Sequence, residues 1–110
     1  MGLVKSEIFT DQQNQISSFA KVLGNPARVA ILEYLFELNA CVCGTLVEEI
    51  GLAQPTISQH LKELKNLGLI KGTVDGTSVC YCIDKKNWLA MKNVMLLFLN
   101  KDIENTTKCC

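Results

Sequence analysis

The sequence lacks several features that common functional classes require. It has one histidine, two prolines and no apolar run longer than the six residues 94–99. A bilayer span needs about 18–20 apolar residues, and the short polar N-terminal stretch is unlike a secretory signal. There is no Gly-rich phosphate loop and no nucleophile with an evident base, so we expect no enzyme. We predict a single cytoplasmic domain, residues 1–110, without a membrane partner.

The sequence also has no excess of positive or negative charge. Eleven basic residues balance eleven acidic ones, so the sequence does not predict nucleic-acid binding by bulk charge. The distribution is uneven, however. Residues 56–86 contain five lysines and three acidic residues, a net charge of +2, whereas four glutamates precede them between positions 33 and 49. The basic segment is therefore the candidate for contact with an anionic partner.

Capping residues and helical spacing predict five helices. Thr10 and Gln13 form a capping box that opens a helix over residues 10–23, and Asn25-Pro26 begins the second helix. A second capping box at Thr45 opens a short helix that Gly51 ends. Pro55 occupies the first position of the next helix, after a tight turn at residues 52–54. Two short helices joined by about four residues, here 45–67, form a helix-turn-helix unit.

A β-hairpin follows this unit directly. Residues 69–74 and 77–83 alternate between apolar and polar side chains, and Asp75-Gly76 between them favours a tight hairpin turn. Val79, Tyr81 and Ile83 share one face of the return strand, and Cys80 and Cys82 share the other. A hairpin at residues 69–83 after a helix-turn-helix is a wing. We predict a mainly α winged helix-turn-helix domain with a β-hairpin wing.

The last helix, residues 84–100, is apolar nearly all round. Such a helix should be buried on more than one side, either in its own core or against a second protomer. We favour the second protomer, because so short a chain cannot cover the whole helix. The sequence thus predicts a homodimer that pairs through the helices at residues 10–23 and 84–100, with residues 101–110 as a flexible tail.

The outward face of the helix that Pro55 begins is the candidate DNA-reading surface. Its N-terminal residues would meet base edges in the major groove, while lysines better suit phosphates. The alternative is an ordinary polar helix face. His60, near the buried edge, is a packed core residue or a phosphate contact rather than a metal ligand. The predicted DNA-binding residues are Gln54, Thr56, Ser58, Gln59, His60, Lys62, Lys65 and Lys71.

Three segments resemble the ArsR/SmtB family of metal-responsive repressors, and in particular its arsenic sensors. They are FAKVLGNPARVAILEYL, ACVCGTLVEEIGLAQPTISQHLKELKNLGLI and GTVDGTSVCYCID, within residues 19–88. The resemblance implies a homodimer with a helical interface, which binds double-stranded operator DNA and releases it when inducer binds. The Asp/His zinc site that other members carry on the last helix has no counterpart here, because this helix contains no histidine.

Cys41-Val42-Cys43 resembles the paired thiols of the family's arsenic and antimony sensors. On a regular helix, residues two apart point about 200° away from each other. In an extended segment they share a face, about 6.6 Å apart at Cα, and could bind one soft ion. Sulfur ligands favour As(III), Sb(III), Cd(II) or Cu(I) over Mg²⁺ or Ca²⁺. We expect no obligatory cofactor and an inducer ion, with As(III) or Sb(III) favoured.

A pyramidal As(III) ion prefers three sulfurs, and the sequence does not show the third. Arsenic sensors of the family place an acidic residue after the pair and a third cysteine soon afterwards, whereas Gly44-Thr45 and aliphatic residues follow here. Cys109 and Cys110 are candidates for the third ligand, from either protomer. We rank Cys80 and Cys82 below them, as small strand residues, a second thiol site or a redox pair.

Two alternatives to a metal-released repressor stay open. The thiols could form a redox switch in a repressor with the same DNA function. In a different class, the chain could be a thiol-rich protein that sequesters metal on a borrowed helix-turn-helix scaffold. Such a protein would show no salt-dependent DNA binding, whereas a DNA-binding dimer loses affinity steeply as salt rises.

Overall fold

The computed structural model describes residues 8–38, 46–76 and 78–103. Within these ranges the chain forms five helices and one two-stranded antiparallel sheet. None of the helices in the described ranges is long and apolar enough to cross a bilayer. The elements are α1 (Asp11–Leu23), α2 (Pro26–Leu38), α3 (Leu46–Ile50), α4 (Gln54–Asn66), β1 (Ile70–Asp75), β2 (Ser78–Ile83) and α5 (Lys85–Leu99).

The N-terminal caps that the sequence predicts are present. Thr10 Oγ1 accepts a hydrogen bond from the backbone N–H of Gln13, and the Gln13 side chain accepts one from the Thr10 N–H, which completes the capping box of α1. Asn25 Oδ1 accepts from the N–H of Ala27 at 2.9 Å and so caps α2. The capping box expected at Thr45 lies outside the described residues.

One contiguous apolar core joins the helices to the base of the hairpin. Ile31 and Leu35 of α2 and Leu64 of α4 are fully or almost fully buried. Leu69 and Ile70 continue this core from the end of α4 into β1. Burial of these side chains fixes α4 on α2, and the opposite face of α4 is left to solvent.

Helix α4 begins one residue earlier than predicted. Ala53 is the N-cap, so Gln54 is the first helical residue and Pro55 the second. Proline is tolerated here for the same reason as at the first position, because the N–H groups of the first turn have no partner within the helix. The helix ends at Asn66 with Leu67 as its C-cap, and Gly68 follows with φ +85°, a left-handed conformation that suits glycine.

The hairpin forms as predicted, but its turn is shifted by one residue. Asp75 pairs with Ser78 in the register, so Asp75 is the last residue of β1 rather than a residue of the turn, and Gly76 follows it. Gly76 has φ +64°, which glycine adopts without steric cost. A glycine as the first of two loop residues suits a tight hairpin as well as a glycine as the second. The position of Gly76 in the sequence therefore does not tell which of the two registers the hairpin adopts.

Helix α5 returns across the domain and leaves much apolar surface exposed. Asp84 caps it by accepting from the N–H of Asn87, and the Trp88 ring packs edge-on against Phe36 of α2 at 4.8 Å between centroids. Met91 is buried. The exposed apolar side chains of α5 are Leu89, Leu96, Leu97, Phe98 and Leu99.

Candidate functional site

Helix α4 has a buried face and a polar, solvent-exposed face. Ile57, Leu61 and Leu64 are buried in the core, as their spacing predicts. Of the eight predicted DNA-binding residues, seven are exposed, namely Gln54, Thr56, Ser58, Gln59, Lys62, Lys65 and Lys71. The first six lie on α4. The structure therefore presents a row of amide, hydroxyl and ammonium groups from the start of this helix.

Two side-chain hydrogen bonds organise the exposed face. Gln54 Nε2 donates to Ser58 Oγ at 3.1 Å, one helical turn away. Gln59 Nε2 donates to Glu63 Oε1, also at 3.1 Å. The Gln59 amide is thereby held along the helix by a carboxylate, and its carbonyl oxygen is directed away from that carboxylate. An amide can both donate and accept at the edge of adenine, so Gln59 is equipped for base recognition.

His60 is the predicted DNA-binding residue that the structure buries. Its side chain is 9% exposed and faces α2, where its Nδ1 accepts a hydrogen bond from Arg28 Nε at 3.2 Å. The pair joins α4 to α2 by a polar contact at the edge of an apolar interface.

The side chain of Lys65 lies where α4 meets the wing. A Cβ atom added at Gly72 of β1 would lie 3.7 Å from Lys65 Nζ, so the small residue leaves room for this ammonium group beside the strand. Lys71, the neighbour of Gly72, is exposed and pairs with Cys82 in the register. The end of α4 and the start of β1 each carry an exposed ammonium group, of Lys65 and Lys71, and such groups suit a phosphate backbone.

Asn87 ties the end of α4 to the start of α5. Its Nδ2 donates to the carbonyl oxygen of Gly68 at 3.0 Å and to Asp84 Oδ2 at 3.2 Å. A Cβ atom at Gly68 would lie 2.9 Å from this Nδ2, so glycine is required both by the space and by the left-handed backbone. Asn87 thus joins the residue that follows α4 to the first turn of α5.

The cysteines divide into two groups. Cys41, Cys43, Cys109 and Cys110 all lie outside the described residues. Cys80 and Cys82 are both on β2; Cys80 is 7% exposed and disulfide-bonded, whereas Cys82 is a partly buried thiol. The described ranges alone contain no group of three or more metal-binding side chains.

Sequence reasoning did not find two residues that position this surface, Arg28 and Asn87. Arg28 belongs to the second predicted helix and reaches across 32 positions to His60. Asn87 reaches back 19 positions to Gly68. A lone arginine or asparagine on an amphipathic helix carries no sequence signal for such a contact. The one hint in the sequence is that His60 is a polar residue near the buried face of its helix, because a buried polar side chain needs a hydrogen-bond partner.

Comparison with known proteins agrees with this geometry. Residues 25–71 match the family model described as "Bacterial regulatory protein, arsR family". The HTH-type transcriptional regulator MJ1325 of Methanocaldococcus jannaschii is 35% identical over 69% of this chain and 86% of its own length. The arsenical resistance operon repressor of Staphylococcus aureus is 30% identical over 84% of this chain and 83% of its own.

A solved structure shows the same fold. The solution structure of the homodimeric winged helix-turn-helix DNA-binding domain Mb0332 of Mycobacterium bovis has a TM-score of 0.64 over 87% of each chain, at 22% identity. The predicted winged helix-turn-helix is confirmed, and the relatives are transcriptional regulators. This chain belongs to the ArsR/SmtB family of winged helix-turn-helix transcriptional repressors.

Proposed function

We propose that a homodimer of this chain binds a specific DNA operator by placing the start of each α4 helix in the major groove. The observation that supports this most directly is the two-sided α4 helix. Ile57 and Leu61 anchor it in the core, while Thr56, Ser58 and Gln59 are exposed in its first turns. N-terminal residues of a recognition helix are the ones that reach base edges.

Lys62, Lys65 and Lys71 would contact phosphates on either side of the groove. All three are exposed, and Lys65 lies beside β1 of the wing, in a chain whose net charge is zero. Phosphate contacts fix the register of a protein on DNA, and base contacts read the sequence. Since the target is operator DNA, we propose that the protein acts in the cytoplasm.

The dimer would form through α1 and α5, which pack against each other. Leu97 of α5 is 70% exposed, and Leu99 is 66% exposed. Apolar residues this exposed on one short helix are typical of an interface. The homodimeric Mb0332 domain supports this arrangement, since it shares the fold. Two α4 helices related by a two-fold axis would reach half-sites about one helical turn apart, about 34 Å.

Release from DNA would follow binding of a thiophilic ion, As(III) or Sb(III), at Cys41 and Cys43. The support is chemical: two thiols in a Cys-Val-Cys sequence, just ahead of α3, form a soft donor pair. The arsenical resistance operon repressor of S. aureus is a relative. Binding there would act on the chain that enters the helix-turn-helix. The inducer must bind the DNA-free conformation more tightly than the DNA-bound one.

The DNA arm of this proposal is tested with three variants in a fluorescence-anisotropy titration. Gln59→Ala should weaken specific binding by about 5- to 150-fold, the equivalent of 1–3 kcal/mol, and leave non-specific binding unchanged. Lys62→Gln should weaken both and lower the salt-dependence slope by about 0.9. Lys92→Gln, an exposed lysine of α5, is the control. Equal effects of Gln59→Ala on operator and random DNA would refute base reading.

The inducer arm is tested by adding As(III) to the protein–operator complex. Micromolar As(III) should release the wild type, and a Cys41→Ser/Cys43→Ser variant should stay bound. Metal stoichiometry of the same two proteins separates loss of binding from loss of coupling. An operator affinity that does not change with As(III) or Cd(II) would contradict metal sensing.

The disulfide at Cys80 favours a second candidate, release by oxidation. A low-molecular-weight disulfide would be reduced to two thiols while two cysteines of this chain form one disulfide. Diamide followed by dithiothreitol, with metal removed by a chelator, tests this directly. Reversible loss of DNA binding under these conditions supports the redox candidate, and unchanged binding excludes it.

A further inference from the structure

We propose that Glu63 determines the DNA sequence specificity of α4 by fixing the orientation of the Gln59 amide. This inference rests on the proposed function, in which Gln59 reads a base but no residue positions it. Three observations carry it: the chemistry of the hydrogen bond between the two side chains, the difference in their burial, and the charge of Glu63 on a face that meets DNA.

The hydrogen bond between Gln59 and Glu63 forms in only one orientation of the amide. Gln59 Nε2 donates to Glu63 Oε1 at 3.1 Å, one helical turn away. An ionised carboxylate is an acceptor only, so it pairs with the N–H groups of Gln59 and not with the carbonyl oxygen. The amide is therefore held with Nε2 towards Glu63 and Oε1 away from it.

The second hydrogen bond on this face does not have the same effect. Gln54 Nε2 donates to Ser58 Oγ at 3.1 Å. A hydroxyl group can donate as well as accept, so it would also pair with the carbonyl oxygen of a reversed amide. Of these two pairs, only the one with a carboxylate selects a single amide orientation.

Glu63 is also the more restricted partner of its pair. Its side chain is partly buried, whereas Gln59 is exposed. The neighbouring Leu64 is fully buried in the core. Glu63 therefore has less conformational freedom than Gln59, and the hydrogen bond passes this restriction to the exposed amide.

The Gln59 amide keeps the groups that a base contact needs. A primary amide has two N–H donors and one carbonyl acceptor, so one N–H and Oε1 remain when Glu63 takes up the other N–H. Adenine presents an amino donor and the N7 acceptor in the major groove. An amide fixed by Glu63 offers its acceptor and donor to adenine in one order, and this order is set before DNA binds.

The charge of Glu63 opposes DNA binding in general. Helix α4 contains two lysines, Lys62 and Lys65, and Glu63 is its only acidic residue. A carboxylate near DNA repels phosphates, so it lowers the affinity for every sequence. Its hydrogen bond to Gln59 helps only where a matching base is present. Glu63 thus increases the difference in affinity between matching and other sequences, which is specificity.

The expected size of the effect is the cost of ordering one side chain at the interface. Immobilising a flexible side chain on binding lowers affinity by about 2- to 12-fold. Without Glu63, Gln59 would have to be ordered by the DNA itself. The preference for the matching sequence should fall by this factor.

The test uses two duplexes of equal length, one that the wild type selects from a randomised DNA pool and one of random sequence. Glu63→Ala should lower the ratio of the two affinities by about 2- to 12-fold without weakening binding to the random duplex. Glu63→Gln should lower it by about 2-fold, because its amide also pairs with the reversed Gln59 amide and half of the molecules are then misoriented. Glu33→Ala, at an exposed glutamate of α2, should leave the ratio unchanged.

A ratio that does not change in Glu63→Ala, or equal weakening on both duplexes, would overturn the proposal. Circular dichroism checks the fold of each variant. Glu63→Gln keeps the size of the side chain, so its result does not depend on whether the alanine variant folds.

The double variant Gln59→Ala/Glu63→Ala tests whether Glu63 acts through Gln59. In the absence of Gln59, removal of Glu63 should lower the ratio no further. Single base-pair replacements in the selected duplex should show that Gln59→Ala and Glu63→Ala lose discrimination at the same position. Additive effects of the two changes, or loss at a different base pair, would refute the positioning role.

These results separate the inference from the proposed function. If the wild type enriches no sequence from the pool, base reading by α4 is refuted, and the role of Glu63 with it. If it enriches a sequence that Gln59→Ala no longer prefers but Glu63→Ala still prefers as strongly as the wild type, base reading stands and the role of Glu63 is refuted.

Discussion

The hydrogen bond between Arg28 and His60 provides a quantitative test of how α4 is held against α2. Its 3.2 Å length is at the long end of the usual range, and its acceptor is buried. Hydrogen bonds to charged groups contribute about 1.5–3 kcal/mol. Because the bond is long and Arg28 is only partly buried, we expect the lower end, about 1.5 kcal/mol.

Arg28→Met removes the donor but keeps much of the aliphatic stem. The Nδ1 of His60 would then be a buried acceptor without its partner, at a cost of about 1–3 kcal/mol in the free energy of unfolding. The double variant Arg28→Met/His60→Phe removes both polar groups and should recover part of this loss. Urea unfolding of the wild type, both single variants and the double variant, at one protein concentration, gives the coupling energy.

The same variants link this contact to function. Arg28→Met should weaken operator binding, because α4 loses its hydrogen bond to α2. Lys92→Met controls for the loss of one surface charge and should change the free energy of unfolding by less than about 0.5 kcal/mol. If the two single changes add to within about 0.5 kcal/mol of the double variant, Arg28 and His60 are not coupled. The reasoning from the geometry would then be refuted.

Two further predictions concern the junction and the dimer. Gly68→Ala and Gly51→Ala both place a side chain at positive φ, +85° and +81°, but only the first also brings Cβ to 2.9 Å from Asn87. Gly51→Ala should cost about 1–2 kcal/mol and Gly68→Ala clearly more, and equal costs in urea unfolding would contradict the close approach. Leu97→Glu should shift the protein to monomer in sedimentation velocity, whereas Lys92→Glu should not; a dimer that survives Leu97→Glu would argue against the α5 interface.

Much of the fold follows from local chemistry that the sequence displays. Thr10 caps α1 through hydrogen bonds with Gln13, and Asn25 caps α2 by accepting from the N–H of Ala27. Each bond joins residues at most three apart, so sequence order is enough to predict it. The spacing of Ile57, Leu61 and Leu64 identifies the buried face of α4, and the polar face follows from it. The hairpin was also evident, although its turn lies one residue later because Gly76 satisfies either register.

The positions of the other functional residues depend on packing between distant segments. The burial of His60 required α2 to lie beside α4 and Arg28 to face it. Position 60 alone was equally compatible with a phosphate contact. Likewise, the alternation of β2 predicts that Cys80 lies on the face away from Val79 and Tyr81. It does not predict that Cys80 is buried.

The sequence by itself determined which residues face inward on each helix and strand, because the periods of 3.6 and 2 follow from backbone geometry. It also determined the family, through the order and spacing of α3, α4 and the wing. Only the tertiary structure decided which polar side chains meet, as Arg28 meets His60 and Asn87 meets Gly68. Such contacts depend on how two elements far apart in the chain pack together, which no local pattern encodes.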